Sequence, residues 1–210
     1  MLISDWSYPR ILVGIPLERS ISYADRVFMN FMQIAAKGPT FIDCQYTRID
    51  LARNLMVQRL LTTDFTHLLM LDVDHIHPID IIENLAARVR DNNDVQVVSG
   101  LNFRRKPPFD PVARLAGGVP LTGWGTDLIE VEETGAASLL VDKRVFLQME
   151  PPWFPNLYDN VWANDWPGED IGFCRKCRAL GIPIFVDPLV TSPHCTDSMV
   201  TESTWRAFNG

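Results

Sequence analysis

The run His67-Leu68-Leu69-Met70-Leu71 constrains this chain more than any other stretch. Five residues without polar alternation cannot lie on a sheet with one wet face. A strand of this kind is buried on both sides, as in a parallel sheet covered by helices. Its surroundings agree. Residues 10–15 read as a strand stopped by Pro16, and 24–37 carry Val27, Phe28, Phe31, Ile34 and Ala35 at helical spacing, ended by Gly38 and Pro39. A strand over 40–44, a helix over 49–61, the apolar strand itself, a helix from near Pro78 to about Arg90 and a strand over 95–99 complete the series. Such a β-α-β-α-β-α-β order predicts right-handed crossovers and a mixed, mainly parallel sheet in an α/β class fold.

Past Gly100 the texture changes. Residues 102–125 are rich in Pro, Gly and Arg and read as a long loop with short extended pieces; 128–133 alternate as a strand, and 138–141 form another before a short helix from Asp142. Residues 151–167 hold Trp153, Phe154, Tyr158, Trp162 and Trp166 with little periodicity, offering either core area or flat faces to a ligand. A helix over 168–180, a strand over 182–186 and a polar tail follow. At roughly 100–200 residues per domain, 210 residues are read as one domain whose two halves share a sheet.

Hydrophobic residues make up 47% of the chain, which excludes a disordered protein. Lys+Arg 19 against Asp+Glu 26 gives a net charge of −7, which argues against a protein that coats nucleic-acid phosphates. No apolar run approaches the roughly 20 residues of a membrane span, and no signal-peptide pattern opens the sequence, so a cytoplasmic chain with reduced thiols is expected. Cys174 and Cys177 have the spacing of a zinc or redox pair, and Cys195 adjoins His194. Placed inside a helix on the face of Phe173, the pair reads as buried core thiols.

Ligands of open α/β sheets bind beyond the carboxyl ends of the strands. There the central strand continues into Asp72-Val73-Asp74. Two carboxylates one residue apart repel each other unless a cation lies between them, so Mg²⁺ or Mn²⁺ is the natural occupant; an Asp-rich turn before the next helix is the alternative. Either His75 or His77 could ligate a metal, but the pattern ending at Pro78 puts both in the turn entering the helix, where they read as polar residues. Downstream, Gly168-Glu169-Asp170 opens a helix containing Arg175, then come Gly181, a strand and Ser192-Pro193-His194.

This order resembles the GT-A-type nucleotide-sugar glycosyltransferases, especially the family 2 enzymes and their galactosyltransferase relatives. Their pattern has a DxD after a central strand, a Gly-Glu-Asp at a helix start with an Arg in the helix, a Gly and strand, and a late His. The stretch 47–54 (TRIDLARN) is similar to the family segment that carries an Arg-Asn pair against the nucleotide. The resemblance implies a GT-A (Rossmann-like) three-layer α/β/α sandwich, with 1–100 as a nucleotide-binding half and 101–210 as an acceptor-binding half. It implies a hexosyltransferase-like enzyme moving one sugar from a nucleotide-diphosphate sugar, a UDP-sugar favoured, to an acceptor hydroxyl on a glycan, lipid-linked sugar, protein or modified nucleobase. Asp72 and Asp74 would hold Mn²⁺ or Mg²⁺ on the diphosphate, Asp72 also reaching the ribose, and His194 would be the late metal ligand, an imidazole suiting Mn²⁺. Asp170, beside Glu169, would be the general base of an inverting transfer.

The bland alternatives stay open: His194 as a loop histidine, Glu169 and Asp170 as first-turn acids favoured by the helix dipole. Gly14 and Pro16 end the first strand where the family places the base, and Arg48, Arg53 and Asn54 face the base or diphosphate unless Arg53 is a solvated charge. Arg104, Arg105 and Lys106, the only basic cluster, either answer phosphate charge or belong to an exposed loop. Gly135-Ala136-Ala137 would leave room for the sugar. No QxxRW motif is present, so single addition is expected, from a chain close to a bare catalytic core. Two other readings compete. A sugar-nucleotide nucleotidyltransferase should carry a Gly-rich basic loop after the first strand, where Gly14-Ile15-Pro16-Leu17-Glu18-Arg19 has one Gly and one Arg. A non-catalytic nucleotide-sugar or glycan-binding module would bind without turnover.

Overall fold

A computed structural model describes residues 8–17, 24–45, 48–155, 168–195 and 200–209. The readings made on Glu18, Arg19, Thr47, Tyr158, Trp162, Trp166 and Pro167 lie outside the described residues. The elements run β1 (Ile11–Leu17), α1 (Ala24–Ala35), β2 (Thr40–Gln45), α2 (Ile49–Leu61), β3 (His67–Leu71), α3 (Ile81–Asp91) and β4 (Val97–Leu101). Next come the short strands β5 (Ala113–Leu115), β6 (Val119–Pro120), β7 (Ile129–Val131) and β8 (Glu133–Thr134). The chain closes with β9 (Ser138–Asp142), α4 (Lys143–Leu147), α5 (Glu169–Ala179), β10 (Ile184–Thr191) and α6 (Glu202–Asn209).

Seven strands form one sheet in the order β2-β1-β3-β9-β4-β10-β7, and β6-β5-β8 form a small second sheet. β9 pairs antiparallel with both β3 and β4, and β7 antiparallel with β10, so the other five strands of the large sheet share one direction. β9, from beyond residue 100, therefore lies between β3 and β4, so both halves share one sheet.

Side-chain parity explains the layers. Leu68 and Met70 point into a core shared with Met56 and Leu60 of α2, Phe146 of α4 and Phe173 of α5. Leu69 and Leu71 point the other way, to Ile34 of α1 and Ile82 and Leu85 of α3. Helices on both faces make the α/β/α sandwich, and all five residues of β3 are buried. Each large apolar side chain buried this way contributes about 1.5–3 kcal/mol.

Four local expectations are corrected. β1 does not stop at Pro16. It continues to Leu17, pairing Pro16 with Cys44, because beyond Gly14 its only partner is β2 and a missing N–H is tolerated there. The stretch 128–133 is not one strand: β7 joins β10 while β8 joins β5. β10 runs on to Thr191, with a register shift between Asp187 and Thr191 where it leaves β4's regular ladder. The polar tail contains α6, whose Trp205 is buried with its ring 5.1 Å from that of Trp124.

Cys174 and Cys177 lie fully buried on α5, and burial pushes both thiols up, away from reactivity. Cys195 packs elsewhere, with Val27 and Val73. No helix among the described residues is long and apolar enough to cross a membrane.

Candidate functional site

The site forms where the chain leaves β3. The Asp72 N–H donates to the Ala137 carbonyl (3.0 Å), at the start of β9. The segment after β10 is stitched across the following turn: Ile76 N–H donates to the Pro193 carbonyl (3.0 Å) and Cys195 N–H to the Asp74 carbonyl (2.7 Å). His194 forms isolated bridges with His75 and with Val200. Backbone pairing thus brings His194 beside Asp74 across 120 residues of sequence.

Asp74, His75 and His194 form a cluster whose ligand atoms lie within 4.8 Å of one another, the one such group among the described residues. Asp74 Oδ1 is 2.7 Å from His75 Nδ1, Asp74 Oδ2 is 3.1 Å from His194 Nε2, and the two imidazoles stack at 4.0 Å. His194 Nδ1 lies 2.9 Å from the Phe103 carbonyl, which only accepts, so Nδ1 carries the proton. In neutral His194 the Nε2 lone pair then faces a carboxylate oxygen, an arrangement that needs a proton or a metal cation between them. Burial works to raise the Asp74 pKa, but hydrogen bonds and charge from His194 and His75 outweigh it and hold the carboxyl well below its usual range. Two imidazoles and a carboxylate suit Mn²⁺ better than Mg²⁺. The donor set fits a divalent transition ion.

Asp72 is engaged differently. Arg53 Nη2 grips both its oxygens (2.9 and 3.0 Å), while Arg53 Nε donates to Glu169 Oε1 (2.9 Å) and Nη1 to the Ala136 carbonyl (3.4 Å). Only 3% of the Arg53 side chain is exposed, so it is a buried hub joining α2, the end of β3 and the start of α5. It is not a solvated charge. Burial raises the Asp72 pKa against the pull of Arg53, and the neighbouring Asp74 adds to the rise.

Asp170 sits in the first turn of α5 with Oδ1 accepting from the Ile171 N–H (2.8 Å). Burial and then the Glu169 charge push its carboxyl up to about 6, against Arg53. Two glycines make room for it: a Cβ on Gly168 would come 2.6 Å from Asp170 Oδ1, and one on Gly135 3.1 Å from Val112 and 3.7 Å from Asp170 Oδ2. Asp170 and His194 line one cleft of about 820 Å³ with Arg104, Arg105, Lys106, Arg114 and Arg175. Within an acidic chain this cleft is locally basic.

The remaining sequence candidates spread out. Gly14 lies inside β1, where a Cβ would come 2.6 Å from Met56 Sδ, so its smallness lets α2 pack on the sheet. Pro16 is buried two residues further on. Arg48, exposed at the start of α2, pairs with Asp50 (2.6 Å). Asn54 donates to the Asp50 and Phe154 carbonyls (2.7 and 2.8 Å) and accepts from the Trp153 and Phe154 N–H groups (2.8 and 3.2 Å), pinning the aromatic segment to α2. Trp153 and Phe154 are buried core.

Sequence reasoning weighed His75 as a metal ligand and preferred a polar residue of the turn. His75 is 3% exposed and belongs to the cluster, whereas His77 holds backbone and Ser192 in place: its Nε2 lies 2.9 Å from the Asp72 carbonyl and its Nδ1 2.9 Å from Ser192 Oγ. His75→Ala is expected to weaken Mn²⁺ binding by more than the roughly 10–100-fold that loss of an outer-shell partner costs, and Asp74→Ala to remove it. Titration calorimetry with Mn²⁺ measures both, and an unchanged affinity in either variant removes that residue from the cation site.

No protein-family model and no curated relative matches the chain. Among solved structures, A197 from STIV superposes with a TM-score of 0.65 at 17% identity, over 90% of this chain and 86% of that one. GalNAc-T7, crystallised with UDP, GalNAc and Mn²⁺, gives 0.58 at 12% identity over 97% of this chain and 48% of its own, so this chain spans about half its length. At such identities the likeness shows the fold alone, and that fold is the mixed α/β architecture of the GT-A glycosyltransferases.

Proposed function

We propose that the chain is a metal-dependent glycosyltransferase that moves one sugar from a nucleotide-diphosphate donor, a UDP-sugar favoured, to an acceptor hydroxyl with inversion. The observation that carries this reading is the shared cleft: Asp170, its carboxyl raised to about 6, opens onto the same space as His194 of the Asp74–His75–His194 cluster and Arg104. A carboxylate titrating near neutrality is suited to accept a proton.

The acceptor oxygen bonds to the anomeric carbon as the bond from that carbon to the diphosphate oxygen breaks. The electron pair leaves with the nucleoside diphosphate, and the hydroxyl proton passes to the Asp170 carboxylate. A bound Mn²⁺ would offset the charge growing on the leaving group. Arg105, 3.3 Å from Asp74, and Arg104 answer the phosphates. Asp72, held by Arg53, faces the ribose, and the end of β1 with Pro16 lies toward the base. Residues 1–100 then serve the nucleotide and 101–210 the acceptor.

Thermal unfolding with a panel of UDP- and GDP-sugars, with and without Mn²⁺, tests the donor. A matching pair at about 100 times its Kd stabilises by about 2.7 kcal/mol, several degrees for a chain of this size. Metal-dependent stabilisation by a nucleotide sugar is expected. Failure of every pair to stabilise would sink the reading, and an α-linked product from an α-linked donor would sink inversion alone.

A further inference from the structure

Adjacent residues of an extended chain point to opposite sides, yet Asp74 Oδ1 and His75 Nδ1 lie 2.7 Å apart. The segment brings both to one point because it turns at 73–74. His194, the third member of the cluster, comes from a separate segment that follows β10. A cation held by all three needs these two segments at a fixed separation. Backbone bonds tie them along their length, from Ile76 to Pro193 and from Cys195 to Asp74.

Their roots are tied by one side chain. His77 Nε2 lies 2.9 Å from the Asp72 carbonyl, where the first segment leaves β3. His77 Nδ1 lies 2.9 Å from Ser192 Oγ, where the second leaves β10. The carbonyl only accepts, so Nε2 carries the proton and donates, and Nδ1 accepts from the Ser192 hydroxyl. A neutral imidazole has one donor and one acceptor, and the bridge uses both.

His77 is in turn held from α1. Asn30 Oδ1 accepts from the His77 N–H and Asn30 Nδ2 donates to the His77 carbonyl, both at 2.8 Å. The Phe31 ring meets the imidazole edge-on at 5.7 Å. Asn30, His77 and Ser192 are 6%, 2% and 0% exposed, so each lost bond leaves a buried polar group unpaired. The His77 ring also lies within 16° of parallel to that of His75 at 6.0 Å, and His75 stacks on His194 at 4.0 Å. The three imidazoles form one stack, with His77 as its anchored end.

We propose that His77 is the positioning residue of the cation site. Through Asn30, Asp72 and Ser192 it sets the separation of the two ligand-bearing segments, and cation affinity depends on it although both its nitrogens are engaged elsewhere. This rests on the cation cluster of the reading above. Calorimetric titration of the full chain with Mn²⁺, at a temperature where each protein is folded, is compared with urea unfolding of the same proteins without metal. His77→Phe keeps a ring and loses both bonds, and its Mn²⁺ affinity is expected to fall about 10–100-fold, as on loss of an outer-shell partner. Ser192→Ala removes one bond and should weaken Mn²⁺ about 2–10-fold. His77→Gln restores a donor and an acceptor, and should bind Mn²⁺ at least about threefold more tightly than His77→Phe.

A histidine that only supports the fold would lower the urea midpoint and leave the Mn²⁺ affinity of the folded variants at the parent value. That result overturns the proposal, as does a glutamine variant that binds no better than the phenylalanine one. If His77→Phe does not fold, Ser192→Ala decides, and parental affinity in that variant overturns the proposal. A parent chain that binds no Mn²⁺ removes the cation site itself, and the metal-dependent reading falls together with the proposal. Equal binding by parent and variants removes the positioning role alone.

Discussion

Asp170→Asn is expected to abolish transfer and, at pH 7–8, to raise the melting temperature. Both effects come from one carboxyl. Burial first, and the Glu169 charge second, push it up to about 6, whereas an unfolded aspartate titrates near about 4. The folded state therefore prefers the protonated form. Its stabilising contribution is complete below about pH 4 and is lost as pH rises through about 6. At neutral pH the ionised group costs on the order of 3 kcal/mol. Asparagine stays neutral and keeps an oxygen for the Ile171 N–H, which Asp170 accepts at 2.8 Å. Scanning calorimetry of both proteins at pH 4 and pH 7.5 should show a gain for the variant only at the higher pH. Turnover should fall by roughly 10²–10⁴, the usual worth of a positioned base. In the parent, kcat/KM should drop about tenfold per pH unit below pH 6, with UDP–Mn²⁺ binding measured alongside to separate loss of the base from loss of the donor complex. Transfer retained within tenfold by the variant would remove Asp170 as the base.

The layers of the fold are legible because periodicity is local. The runs Ile49–Leu61 and His67–Leu71 declare a helix and a doubly buried strand wherever they end up, and the structure keeps both bounds. The place of β9 is not legible. A strand inserted antiparallel between β3 and β4 is chosen by which edges remain open when the halves meet, and no residue in Ser138–Asp142 encodes that choice. α6 escapes notice because it is only eight residues long, with one buried anchor, Trp205, in an otherwise polar tail.

The site divides the same way. Asp74 and His194 stand out by type and order, and the structure brings them to 3.1 Å. His75 shares its signal with His77, since both follow the DVD and either could ligate. A single histidine in a turn looks polar and exposed until a bridge to His194 buries it. Arg53 is equally opaque. On a helix with weak amphipathy its direction is undetermined, and only the meeting of α2, β3 and α5 shows that it faces two acids.

That meeting makes Arg53→Met the substitution with the largest expected cost to stability. The guanidinium is buried, and Asp72 and Glu169 hold it firmly charged despite its desolvation. Removing it leaves buried Glu169 and half-buried Asp72 without their counter-ion, and breaking a buried pair costs about 3–5 kcal/mol. Urea unfolding should report that loss, with a melting temperature lower on the order of 10 °C. Adding Glu169→Gln should return part of it, because the second substitution removes one orphaned charge; the double-mutant cycle then gives a coupling of about 0.5–3 kcal/mol. A loss below about 1 kcal/mol for Arg53→Met would mean that water or a neighbour replaces the guanidinium. The same variant bears on the base. Arg53 is the cation that draws the Asp170 carboxyl down, so in its absence the acid limb of the kcat/KM profile should move to higher pH, in a protein still folded at low temperature. A hub that only props the fold would leave that midpoint where it is.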